Sequence, residues 1–179
     1  MTSLQTHFQI GAVTLSNRVV MAPLTRMRAF DARAVGDLQV EHYSQRASAG
    51  LILTEATSVS PMGVGYPNTP GIWSPEQVAG WKRVTDAVHA KGGHIAVQLW
   101  HVGRISDPEL LDGQLPVAPS AIAAEGEVNV LRPKRPFCVP RALETAEIAG
   151  IVQDFVHAAR NAKDAGFDFR APLKTSVGS

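Results

Sequence analysis

Residues 74–100, SPEQVAGWKRVTDAVHAKGGHIAVQLW, contain a helix start, a helix, a stop and a strand in direct succession. Ser74 can cap a helix, Pro75 suits the first turn, and Gln77 completes a capping box with the cap residue. Apolar residues then recur every three or four positions until a Gly-Gly pair ends the helix. The run 94–100 follows as a buried strand. This stretch therefore predicts a helix leading directly into a strand, the repeating unit of an α/β protein.

Three further apolar runs predict buried strands of the same kind. Residues 18–22 end at a proline, residues 51–57 follow a glycine, and residues 167–169 begin a run that stops early. Beyond that run, Pro172 and a polar tail argue against a continued strand, since proline lacks the N–H that a sheet interior needs. Strands without polar alternation, separated by helices, are typical of a parallel sheet covered on its faces. The predicted fold is α/β with about three to four β/α units, fewer than a closed (β/α)8 barrel requires.

Two more helices, a hairpin and a long loop complete the predicted elements. Residues 37–49 form a helix capped by its first residue, with Gly50 in the left-handed conformation that ends many helices. Residues 145–166 form a second helix with one apolar face. Two short alternating runs in residues 8–15 predict an N-terminal β-hairpin that turns at a glycine. The proline-rich stretch 107–140 predicts an excursion loop, and loops of this length are usually functional.

The bulk composition favours a globular protein with a small-molecule partner. The chain has 45% hydrophobic and 18% charged residues, and a formal net charge of +1. This balance gives no reason to expect nucleic acid or a membrane surface as a partner. Cys138 is the only cysteine, so no internal disulfide is possible, and it is interpreted as a plain loop cysteine. With no signal peptide and no apolar run long enough to span a bilayer, a cytoplasmic location is expected.

The chemistry is expected where the parallel strands end, because ligands of such folds bind at the carboxyl edge of the sheet. These ends are residues 22–25, 55–57 and 98–101. Together they offer exposed backbone, a hydroxyl, an amide and an indole. These groups are better suited to binding a flat heteroaromatic ligand than to catalysing hydrolysis. Gln98 lies in an apolar run, where an unpaired amide would cost about 1–3 kcal/mol, so a buried partner is expected for it. From the residues alone, Thr25 could equally be an ordinary turn hydroxyl.

A metal site is not predicted, and two other patterns are set aside. His89, His94 and His101 fit no familiar zinc-ligand spacing. The fragment Gly63-Val-Gly65 lacks the third glycine that a dinucleotide fingerprint needs at a helix start. An aromatic residue such as Trp100 is, by itself, more often part of a core or its rim than of a ligand site.

Four motifs, which occur in order, together resemble the Old Yellow Enzyme family, although none of them alone is specific. They are residues 17–26 (NRVVMAPLTR), 43–48 (YSQRAS), 53–57 (LTEAT) and 93–104 (GHIAVQLWHVGR), and the resemblance extends from about residue 8 to about residue 168. Within the family, the chain is most similar to the bacterial N-ethylmaleimide and pentaerythritol tetranitrate reductase branch.

The resemblance implies a (β/α)8 TIM barrel that holds FMN. The flavin takes hydride from NADPH and passes it to an alkene conjugated to a carbonyl, imide or nitro group. Residues 1–169 would then be the N-terminal half of the barrel, and residues 170–179 a divergent tail that is expected to be disordered.

The resemblance also implies roles for individual residues. Thr25 would be the catalytic group, because a hydroxyl donor to a flavin carbonyl stabilises the charge on the reduced ring. The flavin contacts would be Pro23, Leu24, Thr25, Ala56 and Gln98, and the substrate side would be lined by Tyr66, Trp100 and Arg141.

The chain departs from the family after Asp168. In the family, the fourth strand ends in a His-x-x-Asn or His-x-x-His pair that binds the activating group of the substrate, and a Tyr proton donor follows. Residues 169–179 contain no His, Asn or Tyr. The chain is therefore expected to be truncated and its reductase activity impaired. The alternative function is a non-catalytic half-barrel that self-associates or complements another chain through its open strand edges.

Overall fold

The central element of the structure is a sheet of four parallel strands. In the computed structural model of the protein, residues 3–29 and 31–172 are described. The strands are β3 (Val20–Met21), β4 (Leu51–Ser58), β5 (Ile95–Trp100) and β8 (Phe169–Pro172), and they lie side by side in chain order. All three pairings are parallel. Within the described residues, β3 and β8 pair on one side only, so the sheet does not close into a barrel. The predicted α/β class is confirmed.

Three helices connect these strands. They are α1 (Asp37–Ser44), α2 (Pro75–His89) and α3 (Ile148–Asp164). The predicted capping box of α2 is confirmed: Ser74 Oγ accepts a hydrogen bond from Gln77 N at 3.3 Å, and Gln77 Oε1 accepts one from Ser74 N at 3.2 Å.

The predicted limits of the first helix were wrong at both ends. Gly36, and not Asp37, is the cap residue, and α1 ends at Ser44 instead of Ala49. Beyond the helix, Asn17 reaches across from the segment before β3: its Nδ2 donates to Ser48 O, and its Oδ1 accepts from Gly50 N, both at 2.9 Å. Between Ser44 and Ala49 the chain continues as local turns, with bonds such as Arg46 N to Tyr43 O at 3.0 Å, and Asn17 fixes the end of this segment.

Gly50 does not adopt the predicted left-handed conformation. Positive φ angles occur at other glycines, and Gly50 is not one of them. It is needed for a different reason, because an added Cβ would lie 2.1 Å from the backbone oxygen of Asn17. The glycine therefore allows the entrance of β4 to approach the backbone that leads into β3.

The fourth strand is longer than the sequence indicated. Strand β8 pairs with β5 from Ala96–Phe169 to Leu99–Pro172. The expectation that Pro172 prevents a strand was wrong: Pro172 pairs with Leu99 at the edge of the described sheet, a position where proline is tolerated. Of the predicted tail, residues 170–179, the first three belong to β8, and residues 173–179 lie outside the described residues.

The N-terminal hairpin is confirmed and closes one end of the sheet. Strands β1 (Phe8–Ile10) and β2 (Val13–Leu15) pair antiparallel, and Gly11 turns the chain with a φ of +56°. Leu15, which is buried, packs with residues of the sheet face that we call the inner face. We call this apolar cluster the floor. It comprises Ile10, Val13, Leu15, Leu51, Leu53, Ala96 and Phe169.

The other face of the sheet, called the helix face, forms the main core. Ile52, Ile95 and Val97 pack there against side chains of the helices, including the fully buried Trp81. Helix α3 contributes less than its predicted apolar face suggests. Its Val152 remains 53% exposed.

The predicted excursion loop is held at its base by an ion pair. Arg135 Nε donates to Asp107 Oδ2 at 2.9 Å, and Arg135 also bonds Glu109 at 2.7 Å. The loop carries β6 (Val117–Ala118), which pairs in parallel with β7 (Arg141–Ala142) beyond it. Among the described residues, no helix combines the length and the apolar character that crossing a membrane requires.

Candidate active site on the inner face of the sheet

Two predicted contact residues are direct neighbours on the inner face. Ala56 of β4 is paired with Gln98 of β5, and two positions further on, Ser58 is paired with Trp100. Paired residues of neighbouring strands project to the same side, and alternate residues along a strand share that side. Ala56 and Gln98 thus stand one layer above the floor. We call the space in front of them the hollow. It is bounded by the methyl group of Ala56 and the carboxamide of Gln98.

An extra residue in β4 sets which side chains enter the hollow. The pairing advances from Leu53–Ala96 to Ala56–Gln98, three steps along β4 against two along β5, which is a β-bulge. At the bulge, Thr54 Oγ1 accepts the hydrogen bond of Gln98 N at 3.1 Å. With unbroken alternation, Glu55 would share the side of Leu53, and Ala56 would face the helices. The bulge instead directs Glu55 to the helix face and Ala56 to the hollow.

Glu55 joins the end of β3 to β4. Its carboxylate is buried, with the residue only 1% exposed. It accepts hydrogen bonds from Arg26 N at 3.1 Å, from Arg26 Nη2 at 3.3 Å and from Tyr43 Oη at 3.2 Å. Burial, and then the negative charge of Glu55, raise the pKa of Tyr43, so its hydroxyl stays protonated and donates. We call residues 23–25 the tip. The bonds between Arg26 and Glu55 hold the tip next to Ala56.

The three residues of the tip differ in exposure. Pro23 and Thr25 are half-buried, whereas Leu24 is 70% exposed. Among the described residues, no hydrogen bond engages the hydroxyl of Thr25.

The carboxamide of Gln98 lacks the protein partner that we expected. The residue is half-buried, and no group in the described part of the chain hydrogen-bonds its side chain. The partner expected for this amide is therefore not among the described residues, because the amide faces the hollow and not the packed core. A carboxamide both donates and accepts, so it can meet an imide edge with complementary groups.

An aromatic pair borders the hollow above Ala56. The rings of Tyr66 and Trp100 stack with their centroids 5.5 Å apart and an interplanar angle of 20°. Trp100 Nε1 donates to Ser58 Oγ at 3.1 Å, which fixes the indole on the inner face. Ala56, Trp100 and Val102 form one buried cluster against which Tyr66 packs. The structure thus brings together two of the three predicted substrate residues and one predicted flavin contact.

Arg141 is the predicted site residue that the structure places elsewhere. It lies on β7, outside the four-stranded sheet, and is exposed. Its guanidinium makes two bonds to Glu147, at 2.8 and 2.9 Å. The hydrogen bond from Arg141 lowers the pKa of Glu147 to about 2. Within the described residues, no hydrogen bond or ring contact joins Arg141 to Tyr66 or Trp100, so its substrate role stays a prediction.

The sequence analysis missed the cluster of Arg26, Tyr43 and Glu55. All three lie in quoted motifs, but no role was assigned to them. The available signal was the glutamate within an otherwise apolar strand, since a buried carboxylate must be paired and hydrogen-bonded. The histidines His89 and His94 lie at the opposite end of the sheet, where both bond Asp168.

The comparison with known families identifies the chain. The model of the NADH:flavin oxidoreductase / NADH oxidase family matches residues 3–169. The chain belongs to this family. The proposed resemblance to Old Yellow Enzyme is confirmed, because the family's solved structures include an Old Yellow Enzyme homologue that matches this chain.

Solved structures and a curated relative agree with this assignment. Morphinone reductase in complex with tetrahydroNAD is 54% identical, with a TM-score of 0.90, over 96% of this chain and 49% of its own. The Old Yellow Enzyme homologue from Zymomonas mobilis is 46% identical, with a TM-score of 0.91, over 96% of this chain and 48% of its own. The NADP-dependent oxidoreductase lnbE of Aspergillus flavus is 47% identical over 173 residues, which are 94% of this chain and 43% of that protein. The chain thus spans about half the length of its relatives, and the predicted partial barrel is confirmed.

Proposed function

We propose that the chain forms the flavin-holding edge of an FMN-dependent NADPH oxidoreductase that reduces activated C=C bonds. The observation that carries this proposal is the Ala56–Gln98 pair, which stands above an apolar floor with its carboxamide free of other described partners. The tip, fastened by Glu55, lies beside this pair. A planar ring needs an apolar surface beneath it and polar groups at its edge, and the hollow offers both.

The residues present fit the ring of FMN. Ala56 leaves room for a flat ring, Gln98 can meet the imide edge, and Thr25 can donate to a ring carbonyl. When bound, FMN would pass a hydride, which is two electrons and one proton, from the nicotinamide to one carbon of the alkene, and water would have to supply the second proton to the other carbon. Donors at the ring edge would stabilise the negative charge of the reduced state, and the face of the Tyr66–Trp100 pair would offer the alkene an apolar wall.

A nicotinamide reductant is supported by the relatives. One relative's name describes NADP dependence, and the morphinone reductase structure contains a nicotinamide analogue. Enones, maleimides and nitroalkenes are the proposed substrates, and a cytoplasmic location is proposed with them. Because residues 169–179 contain no His, Asn or Tyr, the donors that activate such substrates are not among this chain's residues at that strand. We therefore expect slow reduction by this chain alone.

A flavin titration with a matched pair of variants tests the proposal. Gln98→Ala removes the carboxamide in the hollow, and Gln153→Ala removes the same atoms from the exposed outer side of α3. We expect Gln98→Ala to raise the FMN dissociation constant about tenfold, equivalent to one lost hydrogen bond, and Gln153→Ala to leave it unchanged. Fluorescence quenching of FMN gives the constants. No binding by the unsubstituted protein, or equal binding by both variants, would contradict the proposal.

A second candidate function, a half-barrel that associates with a copy of itself, is favoured by exposed apolar side chains. Val20 at the open edge of β3 is 49% exposed, and Val152 on α3 is 53% exposed. Sedimentation velocity over a range of concentrations tests this candidate. Val152→Lys is expected to weaken association, whereas Leu38→Lys, at an exposed position on α1, is the control. A monomer at every concentration would exclude this function.

A further inference from the structure

We propose that Glu55 is a positioning residue that sets the place of the tip relative to Ala56 and so determines how tightly the flavin ring is held. The inference rests on the proposed function, because it assigns a role toward the same ring. Glu55 faces away from the hollow and would touch neither flavin nor substrate. It would act through Arg26 on one side and through its own strand on the other.

The bond from Arg26 N carries the inference. This N–H belongs to the same planar peptide unit as the carbonyl of Thr25, so fixing one fixes the orientation of the other. The acceptor is Glu55 Oε2 at 3.1 Å. Glu55 in turn directly precedes Ala56 in β4. One carboxylate therefore links the two strand ends on which the ring would rest, although their sequences are far apart.

The remaining bonds of the carboxylate hold it in place. Arg26 Nη2 and Tyr43 Oη both donate to Oε1, at 3.3 and 3.2 Å. Tyr43 Oη also accepts from Glu55 N at 2.9 Å, so side chain and backbone of Glu55 share one partner. The Arg26 side chain is only 18% exposed, and its guanidinium lies 5.4 Å from the centre of the Tyr43 ring. Both oxygens of this carboxylate accept hydrogen bonds, and one of the donors is charged, so the carboxylate has little freedom to rotate.

If Glu55 only stabilised the fold, a similar carboxylate elsewhere in the sheet would affect flavin binding to the same extent. Asp168 is such a carboxylate. It lies at the opposite end of the strands and accepts a backbone N–H from Ile95 at 2.8 Å and a histidine N–H from His89 at 3.0 Å. Both carboxylates thus stabilise a strand end through a backbone donor and a side chain. Only Glu55 is next to the hollow.

The test compares Glu55→Ala, Glu55→Gln and Asp168→Asn, each titrated with FMN at a temperature where circular dichroism shows it folded. We expect Glu55→Ala to raise the FMN dissociation constant about tenfold or more, because charge-assisted bonds are lost. Glu55→Gln retains an acceptor oxygen and should lie between Glu55→Ala and the unsubstituted protein. Asp168→Asn should bind FMN unchanged, even with a lower melting temperature. Unchanged binding by a folded Glu55→Ala, or an equal loss in Asp168→Asn, would overturn the inference.

Amide hydrogen exchange separates this inference from the proposed function. In Glu55→Ala, the Arg26 amide should exchange about tenfold faster or more, since its acceptor is gone, while amides of α2 should not change. If the unsubstituted protein binds no FMN, the proposed function falls, and the Arg26 amide alone still decides whether Glu55 holds the tip. An Arg26 amide that keeps its protection in the variant would show that Glu55 does not.

Discussion

Gly50 lies where the chain enters β4, and a side chain has no room there. An added Cβ would lie 2.1 Å from the backbone oxygen of Asn17 and 2.9 Å from its carbonyl carbon. No rotamer change relieves a clash with backbone, so Gly50→Ala must push the start of β4 away from the segment before β3. The change strains the bond from Gly50 N to Asn17 Oδ1, 2.9 Å, and the bond from Leu51 N to Val19 O, 3.3 Å. Overpacking and weakened bonds together should lower the free energy of unfolding by about 2–4 kcal/mol.

Gly150→Ala is the matched control for this prediction. Gly150 lies within α3, and apart from its chain neighbours and the backbone of its own helix no atom lies within 4 Å of an added Cβ. Alanine is a better helix former than glycine by about 0.8–1 kcal/mol, so this change should raise the free energy of unfolding. Equilibrium urea denaturation followed by far-ultraviolet circular dichroism measures both variants. A Gly50→Ala protein as stable as the original, or two variants that shift in the same direction, would refute the reasoning.

Three further changes test the core, a helix cap and the pH dependence of stability. Trp81→Phe deprives the Gly71 carbonyl of the 3.1 Å bond from Trp81 Nε1 and should cost about 1–3 kcal/mol in urea denaturation. Ser74→Ala removes the acceptor for Gln77 N and should lower the melting temperature, at a cost of about 1 kcal/mol. Burial and two neighbouring arginines lower the pKa of His42 from 6.5 to about 4, so the unfolded chain binds a proton that the folded protein does not. The free energy of unfolding should therefore decrease as the pH falls from 6.5 to about 4. In His42→Gln this decrease should be smaller, as measured by urea denaturation at a series of pH values.

Local signals were sufficient where an element is specified by its own residues. The helix α2 was predicted from its capping box and its spacing, and β5 from its unbroken apolar run. The end of α1 was not predictable from its own residues, because residues 45–49 continue as turns whose end is held by Asn17, far away in sequence. Strand β8 pairs with β5 as far as Pro172, and no local pattern reveals this contact between distant segments.

The site was predictable in part. The resemblance named Ala56 and Gln98, which are paired in the structure, and the unbroken apolar runs placed both on strands. It could not supply the bulge, because Leu53–Thr57 reads as an uninterrupted strand, and an extra residue becomes visible only when β4 is paired with β5. For the same reason, the role of Glu55 depends on which side of the sheet it faces, and that is a property of strand pairing.

The bulge at Thr54 also makes the two parts of β4 independent of each other. A regular strand transmits a slip of one residue along its entire length and exchanges the sides of all its residues. In β4, such a slip among the residues that pack on the hairpin can be absorbed at Thr54 before it reaches Ala56. The packing on the hairpin side can then change without displacing Ala56 and Gln98, the residues proposed to contact the flavin, because the bulge separates these two parts of the strand.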